Sequence, residues 1–126
     1  MSAVQVASAA RGDSGGGEGQ AGFLSLREAL RSAASQRRPV LAFFYSPEVP
    51  GCRRFWDSVI ETPAFRSLKN QFILSAVDVS GPDAPLGPQY NIYKVPALAV
   101  ISPDGTRLKS TISLQTMEDV TRFVSE

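Results

Sequence analysis

The sequence predicts an α/β sandwich, in which helices flank a four-stranded mixed β-sheet. Three observations predict this fold class. Residues 40–45 and 72–79 are short and mainly apolar, which is typical of strands buried on both faces. Segments with a helical spacing of apolar residues precede, separate and follow them. A proline–aspartate–glycine turn at residues 103–105 joins two further strands into an antiparallel pair.

The chain divides into a tail and one domain. Residues 1–21 are small and polar, with a glycine–serine cluster at residues 14–19, so they cannot bury enough apolar surface to offset chain entropy. We expect residues 1–21 to form a disordered tail. Residues 22–126 then form a single domain, because a chain of 126 residues has the length of one typical domain.

The first helix and strand follow from local signals. Ser25 and Glu28 have the spacing of a capping box, so a helix begins after Ser25 and ends near Gln36. One face of this helix is apolar, with Leu26, Ala29, Leu30 and Ala33. Pro39 precedes the first strand, at residues 40–45.

Prolines and one capping residue mark the boundaries of the remaining elements. Residues 46–51 contain two prolines and are predicted to form a loop, followed by a helix over residues 52–59. Pro63 begins a second helical piece that ends near Asn70. A short helix precedes Tyr90, and a last helix runs from its cap, Thr116, to residue 123. The other strands are predicted at residues 72–79, 95–102 and 107–114.

Composition excludes several classes of function. The sequence has no histidine and one cysteine, so it lacks the groups for Ser-His-Asp or Cys-His catalysis, an imidazole metal site or an internal disulfide. A net charge of +1 does not provide the basic surface that nucleic acid binding needs. The longest apolar run, residues 40–45, is far shorter than the roughly 20 residues that span a bilayer.

From these exclusions we expect a soluble protein with no cofactor, no metal, no nucleic acid partner and no transmembrane segment. One cysteine cannot form an internal disulfide, so nothing in the sequence implies an oxidising compartment. We therefore expect the cytoplasm or another reducing intracellular compartment, and import into an organelle stays open as an alternative.

Two stretches of the sequence resemble the thioredoxin superfamily. Residues 44–55 (FYSPEVPGCRRF) are similar to its active-site strand, loop and helix, and residues 90–98 (YNIYKVPAL) to the approach to its third strand. The resemblance implies a thioredoxin-like sandwich with a cis peptide bond before Pro96. It also places Cys52 at the position of the resolving cysteine and Val49 at that of the nucleophile.

The resemblance further implies that dithiol chemistry has been lost. Dithiol exchange needs an exposed nucleophilic cysteine of low pKa and a resolving cysteine three residues later. Val49 stands in place of the nucleophile, and Glu48 in place of the tryptophan before it. Phe43 stands in place of the buried aspartate that assists proton transfer. We therefore expect no dithiol reductase activity.

A closer similarity is to the UAS-type thioredoxin-like domain of ubiquitin-pathway adaptor proteins. It rests on residues 38–45, 55–65 and 96–101, which resemble the apolar strand, the aromatic-rich helix and the third strand of that domain. The resemblance implies a catalytically degenerate interaction module. Some UAS domains are associated with long-chain fatty acids, a property that no motif places in this sequence.

Cys52 has two interpretations. As a monothiol it would react with glutathione or an external thiol, and the neighbouring Arg53 and Arg54 would lower its pKa. As a structural residue it would lie buried beneath the loop, as free cysteines commonly do. The sequence favours the structural role.

The arginines and the tryptophan also have two interpretations each. Arg53 and Arg54, with Arg37 and Arg38, would form a basic patch for an anionic partner, or they are solvated charges at a helix start and a strand start. Trp56 is an exposed interface anchor or part of the core. Solvated charges and core packing are the favoured interpretations.

Val95 and Pro96 complete the candidate site. The resemblance implies that the residue before this proline offers strand-like hydrogen bonds to an extended peptide, which assigns that role to Val95. The alternative is a role in the fold alone, and the sequence does not decide between them.

Taken together, these features predict a non-catalytic interaction module that acts as an adaptor or as a small subunit of a larger assembly, with a protein partner that the sequence does not name. Two alternatives stay open: a monothiol or glutathione-linked redox protein that uses Cys52, and a domain that responds to long-chain fatty acids. The predicted contact surface consists of Pro47, Glu48, Val49, Pro50, Gly51, Arg53, Arg54, Trp56, Val95 and Pro96.

Overall fold

The computed structural model describes residues 23–126. The predicted tail, residues 1–21, lies outside the described residues. In chain order the elements are α1 (Leu26–Gln36), β1 (Val40–Tyr45), α2 (Pro50–Phe55), a π-helical turn (Trp56–Ile60), α3 (Pro63–Arg66), a 3-10 turn (Ser67–Asn70), β2 (Ile73–Asp78), α4 (Leu86–Gln89), β3 (Ala97–Ile101), β4 (Arg107–Thr111) and α5 (Met117–Ser125). Within residues 23–126, no helix combines the length and the apolar character that crossing a membrane requires.

The strands form one mixed sheet in the order β2-β1-β3-β4. β1 is parallel to β2 and antiparallel to β3, and β4 is antiparallel to β3. Leu24 forms a parallel bridge on the outer side of β2, where its N–H donates to the Leu74 carbonyl at 3.1 Å and its carbonyl accepts from the Ala76 N–H at 3.2 Å. The fold class predicted from the sequence, a four-stranded mixed sheet flanked by helices, is confirmed.

The two faces of the sheet carry different cores because alternate residues of a strand point to opposite sides. Phe43 faces a core built with α2, α3 and α5, which we call the aromatic face and which buries Cys52, Phe55, Phe65 and Phe123. Phe44 faces the opposite core, which α1 covers with Leu26, Ala29 and Ala33. All residues of β1 are buried, as its continuously apolar sequence predicted.

Caps and turns form where the sequence predicted them. The Ser25 hydroxyl accepts the Glu28 N–H at 3.2 Å at the start of α1, and Thr116 and Asp119 form a full capping box at the start of α5. Gly105 adopts a φ of 93° in the turn between β3 and β4, a conformation that favours glycine.

Several element boundaries differ from the prediction. α2 begins at Pro50 rather than at residue 52, because the fixed φ of proline suits the first position of a helix, and it continues as the π-helical turn to Ile60. β3 begins at Ala97, after the Val95–Pro96 peptide. β4 ends at Thr111 rather than at residue 114, because Thr111 pairs with Leu98 near the start of β3.

Candidate functional site

The predicted contact surface gathers at one end of the sheet. The β1–α2 loop (residues 46–49) leaves the carboxyl end of β1, and the Val95–Pro96 peptide leads into β3. Because β3 is antiparallel to β1, with Ala97 opposite Phe44, the start of β3 lies at the carboxyl end of β1. We call this end of the sheet the upper end. The fold therefore brings together two stretches that are about 45 residues apart in the sequence.

The β1–α2 loop is ordered by its own hydrogen bonds. The Val49 N–H donates to the Ser46 carbonyl at 3.1 Å, and the Glu48 N–H donates to the Ser46 hydroxyl at 3.3 Å. Pro47, Glu48 and Pro50 are exposed, whereas Val49 is half-buried and packs against the aromatic face. An apolar side chain therefore occupies the position that the resemblance assigns to the nucleophile.

Gly51 joins the loop side of the site to the β3 side. A β-carbon built on Gly51 would lie 3.9 Å from Nη2 of Arg54 and 3.9 Å from Cδ of Pro96. These are ordinary van der Waals distances, so the fold does not require glycine here. The Arg54 guanidinium and the Pro96 ring therefore flank the same point on the surface.

The segment before β3 leaves polar backbone groups unused. Val95 is half-buried, and its peptide bond to Pro96 is cis, as the resemblance implied. Among residues 23–126, neither the N–H nor the carbonyl of Val95 has a hydrogen-bond partner. Backbone groups without a partner are those with which an extended chain pairs in the manner of a β-bridge.

The thiol of Cys52 lies inside the domain. Only 2% of the residue is exposed, and Sγ accepts a hydrogen bond from the Ser46 N–H at 3.5 Å. Burial raises the pKa of the Cys52 thiol, while the hydrogen bond from Ser46 lowers it by less. A buried thiol of raised pKa is a poor nucleophile, which favours the structural interpretation of Cys52.

Trp56 is half-buried in a cluster of aromatic rings. Its ring centroid lies 5.4 Å from that of Phe23 and 5.9 Å from those of Phe43 and Tyr45. The indole N–H donates to the Glu61 carboxylate. Most of the ring therefore packs on the aromatic face, so Trp56 supports the upper end from beneath rather than standing free as an anchor.

The four arginines do not form one patch. Arg37 and Arg38 precede β1, whereas Arg53 and Arg54 follow it in α2. The two ends of this strand are about 17 Å apart at ~3.3 Å per residue. Arg38 donates to the carbonyls of Lys69 and Phe72, so it is part of the fold. Arg53 and Arg54 are exposed at the upper end and have no ion pair among the described residues.

Tyr93 is an exposed aromatic residue that the sequence did not single out for binding. It is 72% exposed, while Tyr90 and Ile92 are buried. Ile112, which is 54% exposed, follows β4 and lies at the upper end because Thr111 pairs with Leu98. Tyrosine is enriched among the residues that contribute most to binding at protein interfaces. A signal for Tyr93 was its place in a tyrosine–lysine pair between the apolar residues Ile92 and Val95.

The described residues provide no metal site. No group of three or more histidine, cysteine, aspartate or glutamate side chains among residues 23–126 is placed to hold a metal ion. The upper end therefore combines a buried thiol, two arginines without ion pairs, the exposed Glu48 and Lys94, and the unused backbone groups of Val95.

Comparison with known proteins identifies the fold. The family model described as Thioredoxin-like domain matches residues 26–125. The DsbH oxidoreductase structure is similar with a TM-score of 0.69 and 18% identity over 91% of this chain and 90% of that chain. A thioredoxin from Thermus thermophilus has a TM-score of 0.69 and 21% identity over 82% of this chain and 84% of that one.

A disulphide isomerase from Xylella fastidiosa Temecula1 is similar with a TM-score of 0.64 and 19% identity, over 80% of this chain and 88% of its own. No curated protein matches the sequence. At these identities the likeness to solved structures shows the fold alone. The thioredoxin-like fold implied by residues 44–55 and 90–98 is confirmed.

Proposed function

This chain belongs to the thioredoxin-like domain family, and on that premise we propose that it is a non-catalytic interaction module, acting as an adaptor or as a small subunit of a larger assembly. The proposal rests on the identity and burial of the residues at the upper end. Val49 stands where the resemblance places the nucleophile, and the one cysteine of the sequence, Cys52, is buried. Groups suited to binding remain exposed around them.

The surroundings of Cys52 support the loss of thiol chemistry. Phe43 stands at the position of the proton-transferring aspartate and is fully buried, with its ring centroid 5.6 Å from that of Phe55. Phe43 therefore provides no carboxylate beneath the loop to accept a proton from the thiol. The raised pKa of Cys52 further lowers the fraction of thiolate at neutral pH.

The unused groups of Val95 support a binding role. A partner segment in extended conformation would accept from the Val95 N–H and donate to its carbonyl. It would lie between the β1–α2 loop and Tyr93, across Gly51 and Pro96. The proposed contact surface therefore keeps the residues predicted from the sequence, with Trp56 as its half-buried support, and adds Tyr93.

The UAS-type resemblance is a further part of the proposal. It is supported by the fully buried β1 and by a loop that lacks a catalytic pair. It suggests a partner from the ubiquitin pathway and a reducing compartment, in which a single free thiol stays reduced.

Thiol–disulfide exchange tests the non-catalytic part of the proposal, because the solved structures of similar fold include oxidoreductases. In an insulin-reduction assay driven by dithiothreitol, we expect the wild-type chain and Cys52→Ala to show the background rate alike. A thioredoxin with both cysteines serves as the positive control for the assay, and Val49→Cys shows whether the Cys-x-x-Cys spacing alone restores activity. A wild-type rate above background that disappears in Cys52→Ala would contradict the proposal.

Photo-crosslinking in extract from the source cells tests the contact surface. A photoreactive residue at Glu48 is expected to crosslink a defined partner, and Gly51→Tyr is expected to reduce that yield by filling the space between Arg54 and Pro96. Asn70→Tyr is the matched control, because Asn70 is exposed and precedes β2 at the other end of the sheet. An equal reduction by both variants would argue against the upper end as the contact surface.

A further inference from the structure

The Arg54 side chain gives the upper end a specific chemistry. A β-carbon built on Gly51 would lie 3.9 Å from Nη2 of Arg54 and 3.9 Å from Cδ of Pro96. The guanidinium of Arg54 is therefore close to the Pro96 ring. This ring adjoins Val95, whose N–H and carbonyl are unused among the described residues. A chain that paired with Val95 would therefore pass close to a guanidinium.

Nothing within the described domain neutralises this guanidinium. The ion pairs within residues 23–126 are Arg66–Glu61 and Arg122–Asp119. Glu48 in the loop and Asp57 one turn after Arg54 are both exposed, yet neither forms an ion pair with Arg53 or Arg54. The acids that are nearest in sequence thus leave the arginine pair to solvent.

The charge around the start of β3 has the same sign. Lys94 directly precedes Val95 and is exposed, so it adds a third cation to Arg53 and Arg54. Arginine presents its N–H donors as a planar fork that fits the two oxygens of a carboxylate. A carboxylate on a bound chain would therefore gain a charge-assisted hydrogen bond without displacing one inside the domain.

We propose that the upper end recognises an extended segment of a partner protein that carries acidic side chains, with the backbone of Val95 pairing with the segment and Arg54 binding a glutamate or aspartate. This inference rests on the proposed function, because it specifies the partner of the same surface. Side chains of an extended segment alternate in direction, so an acid at every second residue presents carboxylates to one side.

The experiment titrates the full chain with blocked peptides and follows the amide resonances by NMR. In the probe peptide threonine alternates with glutamate over about seven residues, and in its counterpart glutamine replaces glutamate. We expect the glutamate peptide to shift the Val95 amide and the Arg54 side-chain resonance. The glutamine peptide is expected to bind about tenfold more weakly.

Two variants separate a specific contact from general attraction. Arg54→Gln is expected to remove the preference for the glutamate peptide, so that both peptides bind with similar affinity. Arg31→Gln removes the same charge from α1, where Arg31 is exposed, and is expected to leave the preference unchanged. Equal effects of the two variants would overturn the assignment to Arg54. The amide spectrum of each variant shows directly whether it folds.

The outcomes distinguish this inference from the proposed function. If both peptides shift the Val95 amide with equal affinity, the preference for acid is wrong and the contact surface stands. If neither peptide shifts Val95, both the inference and the proposed contact surface are contradicted.

Discussion

An arginine lies near each end of β1, but Arg38 and Arg54 differ in the partners that they bind. At the amino end, which we call the lower end, Arg38 donates to the carbonyls of Lys69 and Phe72, and its Nη1 donates to Oε1 of Gln36 at 3.0 Å. At the upper end, Arg54 has no ion pair among the described residues. One arginine thus forms hydrogen bonds within the fold, and the other has no ion pair among the described residues.

The difference follows from the backbone groups that need hydrogen-bond partners at each end of the strand. At the lower end the 3-10 turn finishes before β2 and leaves backbone carbonyls near Arg38, and a basic side chain beside the last turn of a helix satisfies such groups. At the upper end the β1–α2 loop satisfies its own N–H groups through Ser46. Two arginines side by side in a sequence therefore do not indicate a binding patch until their acceptors are known.

The largest expected effect is the loss of stability when a carboxylate is placed in the core beneath the upper end. Phe43→Asp restores the carboxylate that the resemblance places at this position, but it puts a charge among the rings of Tyr45, Phe55 and Trp56. We expect a loss of about 4 kcal/mol or more in the free energy of unfolding, or failure to fold. Urea denaturation measures it, with Phe43→Leu as the milder control. A stable, folded Phe43→Asp protein would show that this core tolerates a carboxylate.

The next effect compares the two ends directly. Arg38→Ala removes hydrogen bonds from a charged group to two backbone carbonyls, so we expect it to lower the free energy of unfolding by about 2 kcal/mol. Arg54→Ala removes no internal partner, and we expect a change within about 0.5 kcal/mol. Chemical denaturation of both variants under the same conditions gives the comparison. Similar losses for the two variants would remove the distinction between the ends.

Cys52 gives the upper end a predictable dependence on pH. The folded state holds the proton of this thiol more tightly than the unfolded state, because burial raises its pKa. The resulting stability is fully present below the pKa of the unfolded thiol and is lost as pH rises through the higher folded value. We therefore expect the difference in stability between wild type and Cys52→Ala to shrink in the alkaline range. Tyr90, whose pKa is also raised by burial, is present in both proteins and cancels.

A constant difference across that pH range would contradict the raised pKa of Cys52. The same proteins allow a direct measurement of access to the thiol. We expect wild-type Cys52 to react with a thiol reagent far more slowly in buffer than in denaturant.

The smallest expected effect concerns the Ser75 hydroxyl, a buried polar group without a hydrogen-bond partner, in comparison with the backbone groups of Val95. The Ser75 hydroxyl is fully buried and has no hydrogen-bond partner among the described residues, whereas Val95, whose backbone groups are unused, is only half-buried. A buried hydroxyl without a partner costs free energy and offers nothing to a ligand. We expect Ser75→Ala to stabilise the domain by up to about 1 kcal/mol in thermal or chemical denaturation. A loss of more than about 1 kcal/mol would show that the hydroxyl has a role in the fold.

Much of the fold follows from signals that act over a few residues. The apolar run at Val40–Tyr45, the caps at Ser25 and Thr116 and the turn at Gly105 each depend on neighbours in the chain, so the sequence alone predicts them. The absence of a second cysteine is likewise visible in the sequence, and with Val49 and Phe43 it predicted the lost dithiol. Helix and strand boundaries shifted where pairing across the sheet decided them, as at Thr111.

The sequence by itself determined an α/β domain of thioredoxin-like type without a dithiol pair, because hydrophobic spacing and residue identity are local properties. Only the tertiary structure decided which side chains have partners. Arg38 finds carbonyls more than 30 residues away, Trp56 packs on Phe23 and Phe43, and Arg54 meets Pro96 across Gly51. Most of these contacts join residues that are distant in the chain, so only the folded arrangement distinguishes the arginine that bonds to the fold from the one without an ion pair.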